Sequence, residues 1–120
     1  MDSHYFDIQT TTINHLRKTI RYAKDHDNPQ LLSFWLAEEL ILFSASDCKQ
    51  DIEAQCRIYE GQCRLLLDTI SDTLIPEHWR ELCLNHIHLP LINLERISLN
   101  EAMKNRVQIL WLALKMTVKF

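Results

Sequence analysis

The sequence predicts an all-α fold: a single-domain helical bundle over residues 1–120, with about five helices, the fourth short. Three observations carry that prediction. Apolar residues recur at intervals of three and four along nearly the whole chain and almost nowhere at two. One glycine and three prolines are too few turn residues for a β-sandwich, a low-complexity tail or a glycine-rich nucleotide loop. With 47% hydrophobic residues, a chain of 120 residues builds its own core and needs neither disulfides nor a metal to fold.

Each element has its own signals. Ile13, Leu16, Ile20 and Ala23 form one stripe of a first helix running from about Asp7 or Thr10 to His26. Asn28-Pro29 is a start signal, a capping residue followed by proline at the first helical position. The second helix carries Leu31, Leu32, Phe34, Trp35, Leu36, Leu40, Ile41, Leu42 and Phe43 around most of its circumference, which predicts the most buried helix of the bundle. Glu38 and Glu39 are adjacent, diverge on a helix, and mark its exposed strip.

Asp47-x-x-Gln50 has capping-box spacing and predicts a third helix starting near Cys48. Its inward face, Ile52, Cys56, Tyr59, Cys63, Leu66 and Ile70, alternates four and three, the heptad seam of antiparallel bundle packing or a short coiled coil. Gly61 interrupts it at a cost of about 1 kcal/mol relative to alanine. Ile75-Pro76 ends that helix and opens a fourth, with Trp79, Leu82, Cys83 and His86 on one face. Leu89-Pro90 is expected to stop it, because the residue before proline is pushed out of helical geometry. A short irregular stretch then follows to Ile97. Ser98-x-x-Glu101 is a second capping box, and the last helix is expected from about Leu99 to Val118.

The longest apolar run, Ile109 to Leu114, is far short of the roughly twenty residues of a membrane span. Met1-Asp2-Ser3-His4 lacks the basic and apolar segments of a secretory signal. Cys48, Cys56, Cys63 and Cys83 include no C-x-x-C pair and read as free thiols in a reducing compartment. A cytoplasmic location is expected, and no cofactor.

The last helix is the most informative segment for function. Met103, Val107, Leu110, Leu114 and Val118 make one stripe, with Trp111 beside it; Ile109, Leu112 and Met116 make a second on another side. Two apolar faces demand cover on both, so this helix is either central in the fold or docks another chain. Charge is uneven: net +1 over residues 1–26, −7 over 27–81 and +3 over 82–120, which sum to the formal −3. An acidic middle between basic ends allows compensation within the chain or steering of a basic partner.

Three other constellations carry chemistry. On the first helix Arg17, Arg21 and Lys24 share a face, with Lys18 adjacent, a stripe that could contact phosphates weakly and in a salt-sensitive way. His78, Cys83, His86 and His88 cluster within eleven residues, and Cys83 and His86, one turn apart, could chelate an ion. A structural site would need further ligands, so Cys83 reads as core and no metal is expected. The spacing Arg80-x5-His86 resembles that of HEPN-domain ribonucleases over seven residues. That resemblance implies a small, often dimeric helical bundle that cleaves RNA without metal, with Arg80 stabilising phosphate charge and His86 acting as general acid–base.

The reading these features favour is a small non-enzymatic protein-binding module, an adaptor, a secretion-type chaperone or an inhibitor or immunity factor. Its contact residues would be Ile109, Leu112 and Met116 with Trp111, and a homodimer is the simplest way to cover that face. A HEPN-like ribonuclease and a nucleic-acid-binding regulator using the first helix are the alternatives.

Overall fold

A computed structural model of the chain describes residues 3–47 and 49–118, with side chains from residue 10 onward. It contains α1 (Ser3–Arg21), α2 (Gln30–Ser44), α3 (Ile52–Ser71), α4 (Glu77–Ile97) and α5 (Glu101–Thr117), and no strand among the described residues. α3 is the hub and packs on all four other helices, most extensively on α4; α1 touches α2 and α3, and α5 touches α3 and α4. The Cα extents of 46 × 37 × 17 Å leave room for only two helix layers in the thin direction, since packed helices lie about 8–10 Å apart. Every helix therefore keeps an outer face, the narrowest being that of α3.

The core is one continuous cluster. Trp35, Trp79, Ile20, Leu32, Leu66, Ile87 and Leu91 are fully buried within it. A buried Leu or Ile is worth about 1.5–3 kcal/mol. Trp79 also satisfies its polar edge: its Nε1–H donates to the Ile20 carbonyl at 2.9 Å, tying the first turn of α4 to the last turn of α1.

The fourth helix is not short; at 21 residues it is the longest of the five. Pro90 lies inside it and is buried. A proline in a helix interior removes one backbone hydrogen bond and costs about 3 kcal/mol or more. Ile87, Leu91 and Leu94 are buried around it, and the burial of that face outweighs the local penalty.

The helix starts also shift. α3 begins four residues beyond Cys48, which lies outside the described residues, and its cap is Asp51, whose side chain accepts from the Ala54 N–H at 3.2 Å. Asp47 and Gln50 lie in the preceding turn. α5 is capped by Asn100, whose Oδ1 accepts from the Met103 N–H at 2.9 Å. Ser98 instead donates its hydroxyl back to the Leu94 carbonyl at the end of α4. In both places a second Asp or Asn close by supplies the same chemistry as the expected cap.

α1 stops at Arg21 rather than His26. Ala23 takes a left-handed φ of 53°, with its N–H on the Ile20 carbonyl and the Lys24 N–H on the Thr19 carbonyl. This is the paired hydrogen bonding of a Schellman turn, here built on alanine instead of glycine.

α2 is not the most buried helix; α3 is, with nine buried residues against five. Phe34 and Ile41 face outward because α2 has neighbours on one side only. Nor is Glu39 part of an exposed strip. It is 6% exposed, drawn inward by Arg17 of α1.

Candidate functional site

α5 presents two faces with different fates. Met103, Val107, Leu110 and Leu114 are buried in the core shared with α3 and α4. Ile109, Leu112 and Met116 are 57%, 58% and 70% exposed. They lie at i, i+3 and i+7, so they form a single outward stripe. Trp111 is half-buried at its edge, its ring centroid 6.3 Å from that of His88 on α4. Ile109, Trp111 and Leu112 line a shallow depression together with Gln108 and Lys115. Leu89 and Ile92, one and four residues beyond His88, add exposed apolar surface on α4.

The outward stripe is longer than its three large residues. Ala102 and Asn105 are exposed and extend it toward the helix start, so that 102, 105, 109, 112 and 116 alternate three and four. That is a heptad seam of just over two repeats. Nothing in the sequence marks Ala102 and Asn105 as members, because neither side chain is large and apolar.

Part of the uneven charge is used inside the molecule. Arg106 anchors α5 to α3, with Nη1 on Glu53 Oε1 at 2.7 Å and Nε on Glu60 Oε2 at 2.9 Å. Those hydrogen bonds, Glu53 first and then Glu60, raise the guanidinium above its ordinary pKa. On the other flank Arg17 donates to Glu39 Oε2 at 2.8 Å and to the Gly61 carbonyl at 3.3 Å, lying over the Trp35 ring. Arg21 pairs with Asp72 at 2.9 Å, and that hydrogen bond is the main reason the Asp72 carboxyl sits below its usual value. The basic ends thus clasp the acidic middle.

This divides the four candidate anion-binding residues. Arg17 and Arg21 are engaged between helices, while Lys18 and Lys24 face solvent. Arg80 and His86, six residues apart on one helix, point about 120° away from each other. Arg80 Nε donates to the Ile70 carbonyl at 2.8 Å, whereas His86 holds the Leu82 carbonyl with Nδ1 and faces Ser33 of α2 with Nε2. The fold does not bring the two together as a catalytic pair.

His78, Cys83, His86 and His88 do not converge either. Cys83 is in the core, where burial pushes its thiol up to about 12, as it does for Cys63. Such thiols are inert as nucleophiles or metal ligands near neutrality. Cys56 is raised too, chiefly by burial. His78 instead meets a residue 52 positions away, His26.

Among the described residues, no helix is long and apolar enough to cross a membrane. Comparison with protein-family models, with curated proteins and with solved structures finds no match.

Proposed function

We propose that this chain is a small non-enzymatic protein-binding module, of the adaptor, secretion-type chaperone or inhibitor kind, whose contact surface is the outer face of α5. The observation that carries the reading is the exposure of Ile109, Leu112 and Met116 in line on one helix face. Removing apolar surface from water yields about 25 cal/mol per Å², and a contiguous exposed stripe at heptad spacing is suited to an apposed helix. A second copy is the simplest occupant, since a two-fold axis sets the same stripe against itself in antiparallel register. A cytoplasmic setting goes with this reading, supported by the free thiols of Cys56, Cys63 and Cys83. The ribonuclease alternative gains nothing from the placement of Arg80 and His86.

The test is light scattering and sedimentation across the micromolar range on the wild type and on Ile109→Glu and Leu112→Glu. The expected result is a dimer that both variants split into monomers with unchanged helical circular dichroism. A wild-type monomer throughout removes the second-copy version. Affinity purification from the host with wild type and Leu112→Glu then decides the rest. If no captured partner is sensitive to the variant, the α5 face is not the contact surface.

A further inference from the structure

We propose that His26, Asp27 and His78 form a binding site for a divalent transition-metal ion of the zinc class, which clips the α1–α2 turn to the first turn of α4. His26 Nδ1 lies 3.2 Å from His78 Nε2 and 3.4 Å from Asp27 Oδ1. All three candidate ligand atoms fall within 4.8 Å of one another. An ion held tetrahedrally at about 2.0–2.1 Å places its ligands about 3.3–3.4 Å apart, so two edges of the required polyhedron are already at length. The third closes by rotation of Asp27, whose side chain is almost fully exposed and free to turn.

The donor set selects the ion. Two imidazole nitrogens and one carboxylate suit zinc, copper(II) or nickel, whereas calcium and magnesium require oxygen ligands throughout. A fourth ligand would be a solvent oxygen or the His26 carbonyl, which lies 3.2 Å from His78 Nε2. Without an ion, the ring nitrogens face each other at hydrogen-bond distance, a contact that needs one proton between them. To bind through both nitrogens, the donating ring shifts its proton to its other nitrogen, so that two lone pairs face the metal.

The backbone on each side is held from within. The left-handed turn at Ala23 brings residues 25–27 back toward α4. On the other side Trp79, next to His78, is fully buried and bonded to the Ile20 carbonyl. The His26 and His78 backbones are thus fixed relative to each other by the core, and only side chains need adjust. The positive end of the α4 dipole opposes a cation here, and the Asp27 carboxylate within the site offsets it.

The sequence singles out His78 as a potential ligand but groups it with Cys83, His86 and His88, which lie one to three turns along the same helix. The neighbour that His78 meets comes from the α1–α2 turn, 52 residues earlier in the chain.

The experiment is equilibrium dialysis of the full chain against zinc, with cobalt(II) as a spectroscopic probe. Expected are one zinc per chain and a cobalt spectrum without a thiolate charge-transfer band. The unfolding midpoint should rise by about 5 °C at roughly ten times the dissociation constant. His26→Ala and His78→Ala should each weaken zinc binding about tenfold or more. Circular dichroism establishes that the variants remain folded, and His78→Gln, which keeps a polar group at the position, should lose zinc equally. Absence of saturable zinc binding, a thiolate band with cobalt, or unchanged affinity in both alanine variants overturns the site.

Discussion

α3 and α5 carry the same kind of pattern and use it differently. Both have apolar residues at alternating spacings of three and four. In α3 the seam of Cys56, Tyr59, Cys63, Leu66 and Ile70 is buried, with only Ile52 at its start left outside, and flanking positions such as Leu65 and Leu67 are buried too. In α5 one stripe is equally buried and the other, Ile109, Leu112 and Met116, stands in water. The difference lies in neighbours: α3 has four, α5 has two, both on the same side. A heptad seam says that a face is made to be covered. Position in the bundle decides whether the chain itself does the covering.

The largest effect expected from this contrast is in a matched pair of leucines. Leu66→Ala in α3 should lower stability by about 2–5 kcal/mol, because it opens a cavity in a closed core. Leu112→Ala should change the stability of a dilute sample by no more than about 0.5 kcal/mol. Chemical denaturation of both variants, repeated over a range of protein concentration, measures the difference. A concentration-independent loss at Leu112 as large as that at Leu66 breaks the comparison. A loss at Leu112 that grows with protein concentration sharpens it, by assigning the cover to a second copy.

The attachments of the two flanking helices to the centre give the next contrast. α1 is held by Arg17 on Glu39, where the carboxylate is buried and its Oε1 has no hydrogen-bond partner among the described residues. α5 is held by Arg106 on Glu53 and Glu60, both partners being partly solvated. Arg17→Ala should cost about 2–4 kcal/mol, near the range for stranding a buried charge but below its top because Arg17 itself is partly exposed. Arg106→Ala should cost about 1 kcal/mol and lose most of that in high salt. Adding Glu39→Leu to Arg17→Ala should recover much of the first loss, since an apolar group replaces the stranded carboxylate. Equal costs for the two arginines, read from urea midpoints, would mean that burial of Glu39 is not what separates the flanks.

How much of this was legible in sequence follows from the range of the forces involved. The inner stripes of α1, α3 and α5 were readable because helical periodicity is local and the core merely accepts it. The outward face of α5 was readable as a second stripe, though not its exposure, which depends on the flatness of the whole molecule. Pro90 misled because a local penalty was outweighed by the burial of Ile87, Leu91 and Leu94 around it. Glu39 misled because its fate is set by Arg17, 22 residues away, and His26 with His78 could not be paired because 52 residues separate them. Caps were displaced by two to four residues where several Asp, Asn and Ser side chains competed for the same backbone groups.

The smallest expected effect concerns the single glycine. Gly61 lies inside α3, and its carbonyl receives Arg17 Nη2. A close helix crossing would require glycine there, but an added Cβ would meet nothing nearer than Arg17 Nη2, at 3.8 Å, an ordinary contact. Its φ is not positive, so alanine fits the backbone as well. Gly61→Ala should therefore stabilise the protein by about 0.5–1 kcal/mol through reduced backbone entropy in the unfolded chain. The carbonyl is untouched, so the Arg17 clasp survives. A rise of a few degrees in the thermal midpoint is the expected outcome. A fall would mean that α1 approaches α3 more closely than 3.8 Å allows, and that the hub helix gave up its side chain at this one position to seat the arginine.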